Sequence, residues 1–116
     1  MSDADPAWVY LLRCRDGSLY CGWTSDLPRR MRAHAAGRAS RYTASRRPLA
    51  LALAVAQPDR SAARREEARV KGLAKPAKEL WLAEMARVVP PPEDAALALV
   101  AELAEGGGRE REPAAG

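Results

Sequence analysis

Two short apolar runs separated by Asp16-Gly17 constrain this chain more than any other feature of it. The first, Ala7 to Arg13 (Ala-Trp-Val-Tyr-Leu-Leu-Arg), is rich in aromatic and branched side chains, and Ser18 to Trp23 follows the turn. Such side chains pack well on a pleated surface, and Asp-Gly between them is a hairpin signal. The pattern predicts a β-hairpin. A two-stranded ribbon is too small to be stable alone in water, so the rest of the chain must cover it. With 116 residues, the chain can build one domain around one modest core.

Side chains alternate across a strand, which places Trp8, Tyr10 and Leu12 on one face of the first strand. In the second, Tyr20 and Gly22 share a face, opposite Leu19, Cys21 and Trp23. Asp26 is a good N-cap for a helix over Leu27 to Ala36 that Gly37 ends. Arg38 to Pro48 reads as an Arg-rich loop. Leu49, Leu51, Leu53 and Val55 alternate with alanines, as in a third strand, and Pro58-Asp59 ends it. Ser61 to Leu73 reads as a second helix and Pro76 to Val88 as a third, with Leu80, Trp81, Met85 and Val88 at core-facing spacing. The predicted fold class is α+β: a small three-stranded antiparallel sheet flanked by three helices, in the order β-β-α-β-α-α, over residues 6–88. Residues 89–116 read as a Pro/Ala/Gly-rich tail, expected to be partly disordered, with a short helix near Glu93 to Glu105.

The net charge of +4 is unevenly distributed: residues 1–28 carry −2, residues 29–71 carry +9 and residues 72–116 carry −3. A concentrated positive field favours a polyanion, most commonly nucleic acid. Arg outnumbers Lys sixteen to three. The guanidinium fork suits phosphate, although an Ala/Arg/Gly/Pro-rich chain can also reflect genome base composition, so the position of the charge is the stronger signal. No apolar run is long enough to span a membrane. The acidic start, Met1 to Pro6, lacks the apolar core of a signal peptide, so a cytoplasmic location with reduced Cys14 and Cys21 is expected. Two Cys and one His cannot supply the four ligands of a structural zinc site.

Several polar residues could carry chemistry. Arg30 and His34 are four apart and share a helix face. Taken singly, a His of this kind is most often a hydrogen-bonded or solvated residue, and a strand Tyr most often a packing residue. In the second helix the stripe Ala63-Glu67-Val70-Ala74 is otherwise apolar, which would turn Glu67 toward the sheet, but pattern alone barely separates Glu67 from Glu66. An inward carboxylate needs a cation, a metal or hydrogen bonds. Arg38, Arg41, Arg46 and Arg47, with Tyr42 among them, make a basic segment suited to gripping phosphates and stacking on a base.

Taken in order, these positions resemble the GIY-YIG nuclease superfamily. The first motif stands here as Trp8-Val9-Tyr10, which keeps only its Tyr strictly, and the second as Tyr20-Cys21-Gly22. The run from Gly22 to His34 is similar to the superfamily's Gly…Thr…Asp-Leu…Arg…His pattern, and the segments Arg38 to Arg47 and Arg65 to Lys71 also match. Within the superfamily, the likeness is to the small stand-alone UPF0213 (YhbQ-like) proteins and covers roughly residues 6–85.

The resemblance implies metal-dependent endonucleolytic hydrolysis of phosphodiester bonds, with DNA ahead of RNA as substrate. Branched, damaged or single-stranded forms in repair or recombination are the implied targets. By position, Tyr10 would be the general base, His34 would help to remove its proton, and Tyr20 would orient nucleophile or phosphate. Arg30 would stabilise transition-state charge, Glu67 would hold Mg²⁺ or Mn²⁺, and Gly22 would allow close packing where strand meets helix. Two departures stand out: Trp23 occupies a position where some relatives carry Lys, and Lys78-Glu79 falls where several carry Asn. No DNA-recognition domain is apparent, so sequence specificity would be low or supplied by a protein partner. The competing reading is a nucleic-acid-binding module that keeps the fold without catalysis.

Overall fold

The computed structural model describes residues 6–89. Its elements, in chain order, are β1 (Ala7–Arg13), β2 (Leu19–Thr24), α1 (Leu27–Ala35), α2 (Arg41–Ala44), β3 (Ala50–Gln57), α3 (Arg60–Lys71) and α4 (Lys75–Val88). The hairpin forms as the sequence predicts. Cys14 and Ser18 close its loop through a backbone hydrogen bond of 2.9 Å, and Gly17 takes the positive φ of 87° that the turn requires.

The sheet is antiparallel, with strand order β2-β1-β3, so β2 is an edge. Tyr10 stands opposite Gly22 on β2 and opposite Ala54 on β3. An irregularity between Leu11 and Leu12 shifts the β1–β3 register, so that Leu11 pairs with Leu53 but Leu12 with Leu51. The simple alternation predicted for β3 is therefore reset: Leu49 and Leu51 pack on one side of the sheet, Leu53 and Val55 on the other. A bulge inserts a residue on one strand and exchanges the faces of those beyond it.

Each sheet face carries its own core. One gathers Tyr10, Leu12, Cys14, Leu27, Met31, Leu49 and Ala54, which seats α1. The other gathers Val9, Leu11, Leu19, Cys21 and Leu53 with Ala63 and Val70 of α3, and the Trp81, Leu82 and Met85 side chains of α4 pack around it. The domain is thus a three-layer helix–sheet–helix sandwich. Cys14 and Cys21 are buried, unpaired and on opposite faces.

The helix starts follow from local capping. Asp26 accepts from the Arg29 amide at 3.2 Å, Asp59 accepts from the Ala62 amide at 2.8 Å, and Pro76 occupies the first turn of α4. The segment read as a loop contains a single helical turn, α2, because the Ser40 hydroxyl accepts from the Thr43 amide at 3.1 Å and starts it. On α4 the apolar stripe differs from the prediction: Leu80 is 61% and Val88 72% exposed, whereas Leu82 packs on the core. Leu80 lies off the line of Trp81, Leu82 and Met85, and Val88 lies past its last core contact. Arg13 ties the end of β1 to α4 through a two-pronged ion pair with Glu79, at 2.5 and 2.9 Å. The expected helix near Glu93 to Glu105 lies outside the described residues.

Candidate active site

The site grows from one packing fact at the β2 edge. Tyr10 projects from the central strand across Gly22 of its neighbour. A Cβ at position 22 would lie 2.5 Å from the Tyr10 hydroxyl oxygen and 2.6 Å from Cζ. Only glycine leaves room for the ring here. Gly22 therefore admits a tyrosine lying across the strand, rather than easing the packing of strand on helix.

Across Gly22, the Tyr10 hydroxyl meets His34 of α1, with Oη and Nε2 2.8 Å apart. His34 is fully buried, and its Nδ1 is 2.9 Å from Thr43 Oγ1 on α2. Thr43 Oγ1 in turn lies 3.3 Å from the Ser40 carbonyl. A carbonyl can only accept, so with its single proton given to Ser40 the threonine oxygen can receive the Nδ1 proton. Nε2 is then bare and accepts from the Tyr10 hydroxyl. We assign the imidazole the tautomer protonated at Nδ1 on the basis of this hydrogen-bond geometry.

Burial raises the Tyr10 phenol well above the ordinary tyrosine range; nearby Tyr20 adds to the shift and Arg30 opposes it. Burial, with a smaller contribution from Arg30, holds the His34 imidazole down at about 4. At neutral pH the pair is a neutral phenol donating to a neutral imidazole.

Tyr20 completes an aromatic corner. Its ring meets His34 edge-on, with centroids 5.4 Å apart, and stacks against Tyr42 at 6.0 Å. The Arg46 guanidinium lies 3.7 Å from the Tyr42 ring centroid. Of the basic segment, Arg46 pairs with Asp16 at 3.0 Å, and Arg47 donates to the Ala44 and Ala35 carbonyls. These two hold the segment against the domain, while Arg38 and Arg41 are exposed.

A hollow of about 360 Å³ opens at the β2 edge, with Tyr10, Tyr20, Gly22, Arg30 and Glu67 among its walls. α1 covers one sheet face and α3 the other, so the edge is where residues from both helices can meet. The structure separates the two glutamates of α3. Glu66 is held by Arg69 through hydrogen bonds of 3.0 and 2.7 Å. Glu67 lines the hollow, with its side chain 19% exposed and Lys71 Nζ 3.1 Å from Oε2.

Among the described residues, no group of three or more His, Cys, Asp or Glu side chains gathers to hold a metal ion. Glu67 alone, a hard oxygen donor in a water-open hollow, fits Mg²⁺ or Mn²⁺, which need few carboxylates and take other ligands from water and phosphate. A metal would compete with Lys71 for that carboxylate.

The sequence pattern did not single out Thr43 or Arg60, a further wall of the hollow. The signal for Thr43 was present in Ser40-Arg41-Tyr42-Thr43, which has a serine cap at its head.

The small α+β sandwich thus brings Tyr10, Tyr20, Arg30 and Glu67 together at an open sheet edge, with His34 bonded to Tyr10. The GIY-YIG catalytic domain matches residues 6–80, and the chain belongs to that family. Its relatives include a UPF0213 protein of Xanthomonas axonopodis pv. citri (strain 306), 42% identical over 88 residues, covering 75% of this chain and 86% of the relative. A UPF0213 protein of Nitratidesulfovibrio vulgaris (strain Hildenborough) is 49% identical over 69 residues, covering 59% of this chain and 63% of the relative. The solution NMR structure of a UPF0213 protein from Bacillus halodurans is 36% identical, covers 78% of this chain and 92% of that chain, and has a TM-score of 0.46. No helix among the described residues is long and apolar enough to cross a membrane.

Proposed function

We propose that this protein is a metal-dependent endonuclease that hydrolyses phosphodiester bonds in DNA, with branched, damaged or single-stranded forms as substrates in repair or recombination. The observation that carries the reading is the 2.8 Å hydrogen bond from Tyr10 to His34, held over Gly22 beside a hollow that Arg30 and Glu67 also line. A buried phenol is a poor base if it must first ionise. Here it need not: as Tyr10 Oη takes a proton from the attacking water, its own proton passes to the bare Nε2 of His34. Thr43 holds the far side of the ring, so the imidazole stays aligned as it accepts. Arg30 offers its guanidinium to the charge that builds on the phosphoryl oxygens. A divalent ion held at Glu67 would add Lewis-acid stabilisation of the phosphate and the leaving oxygen.

DNA is favoured by the basic block at residues 29–71 and by the family. Arg38, Arg41 and Tyr42, exposed beside the aromatic corner, are proposed to grip the strand, while Arg46 and Arg47 hold that segment in place. Sequence specificity is proposed to be low or to come from a protein partner. The proposed location is cytoplasmic.

The test incubates labelled linear, single-stranded and branched DNA with the protein in Mg²⁺, Mn²⁺ or EDTA, beside Glu67→Ala and Glu66→Ala. Metal-dependent cuts that Glu67→Ala abolishes and Glu66→Ala retains are expected, with binding kept in both variants. Binding by the wild type without cuts under either metal would replace this reading with a non-catalytic nucleic-acid-binding module.

A further inference from the structure

The inner face of α3 runs through Arg60, Ala63, Glu67 and Val70, spaced three, four and three residues apart. Ala63 and Val70 are fully buried against the sheet, while Glu67 and Arg60 line the hollow. Arg60 is unusual among the arginines: its Nε is buried and has no hydrogen-bond partner among the described residues. Buried donors are nearly always paired, so an unpaired one calls for an explanation. The neighbouring acidic groups are engaged elsewhere. Asp59 caps the Ala62 amide at 2.8 Å, Glu66 is held by Arg69 at 2.7 Å, and Glu67 pairs with Lys71 at 3.1 Å. The hollow thus has Arg30 on its α1 side and Arg60 on its α3 side, and its carboxylate, Glu67, already faces an ammonium.

We propose that Arg60 is a phosphate-binding residue, holding a backbone phosphate of the bound strand on the α3 side of the hollow, opposite Arg30. The inference rests on the nucleic-acid reading of this hollow. A guanidinium offers its N–H groups as a planar fork that matches two phosphate oxygens, and a turn of the Arg60 side chain that brings Nε–H into the hollow would give the buried donor its partner. Trp23 is another wall of the hollow. Arg60 binds and positions; it exchanges no proton with the reacting atoms.

The test uses the full chain in EDTA, so that no cleavage intervenes, with a short fluorescent single-stranded DNA as the probe. Arg60→Gln is expected to weaken binding about tenfold and to lower the slope of log affinity against log salt by about one unit. Arg60→Lys keeps the charge but loses the Nε–H, and is expected to recover the salt slope and only part of the affinity. The Arg60 Nε–H resonance of the wild type should shift on adding the DNA. Melting curves of both variants check that α3 remains folded; if Arg60→Gln unfolds, Arg60→Lys and the wild-type resonance decide. Unchanged affinity and slope in a folded Arg60→Gln, or an unmoved Nε–H resonance, overturns the proposal, as does a wild type that fails to bind the probe. Loss of cleavage in metal with the Arg60 effects intact would remove the nuclease reading and leave this one standing.

Discussion

Tyr10 fills the space that a side chain at position 22 would need: a Cβ there would lie 2.5 Å from the phenolic oxygen. The two residues face each other across the β1–β2 ladder, so the clash is fixed by strand register and not by a flexible loop. Gly22→Ala should therefore push Tyr10 off His34. Displacements of about 1 Å in a catalytic group can cost on the order of 10²-fold in rate, and the expected loss is of that size. The accompanying overpacking should cost about 1–3 kcal/mol of stability. Urea unfolding and single-turnover cleavage measured together would show a rate loss far exceeding any loss of folded protein; a fully active variant would contradict the geometry.

Thr43 acts through His34. Thr43→Val keeps the shape but removes the acceptor for the buried Nδ1–H, an unpaired donor that costs about 1–3 kcal/mol. Without that anchor the imidazole is no longer held in line with Tyr10, and cleavage should fall by up to about 10²-fold, the cost of a misplaced catalytic group. ¹⁵N shifts of the imidazole should report protonated Nδ1 in the wild type and mixed tautomers in the variant. Protonated Nε2 in the wild type would reverse the proton path.

The pH dependence of stability follows from the same burial. His34 is held at about 4 in the folded protein by burial and by Arg30, against about 6.5 when unfolded. Between those values the unfolded chain binds the extra proton, so stability is fully present above about 6.5 and falls as pH drops toward 4. The contribution is on the order of 3 kcal/mol. Since His34 is the single histidine, one NMR titration reads it directly. A midpoint near 6.5 in the folded protein would mean that the ring is not desolvated.

Much of this was legible in the residues. Asp16-Gly17, the Asp26 cap and the alternation through Tyr10 depend on neighbours close in sequence, and each appears in the fold as its local chemistry requires. What was not legible depends on where elements meet in space. Periodicity on α4 marked Leu80 and Val88 as core residues, but it cannot say where the sheet beneath ends. The β1–β3 irregularity split the leucines of β3 between two faces, which a strict two-residue period cannot anticipate. Adjacent glutamates on one helix look alike until Arg69 claims Glu66 and the hollow takes Glu67. Thr43 and Arg60 gain their meaning only from a ring and a hollow contributed by other elements.

The most direct test of the proton path compares the wild type with Tyr10→Phe, cutting labelled branched DNA in Mn²⁺. The substitution removes one oxygen and leaves the ring over Gly22. The account predicts a fall in the single-turnover rate of about 10²- to 10⁴-fold, the range for loss of a general base, with DNA binding and melting temperature nearly unchanged. Equal rates in the two proteins would contradict it, because the hydroxyl between water and His34 would then carry no proton.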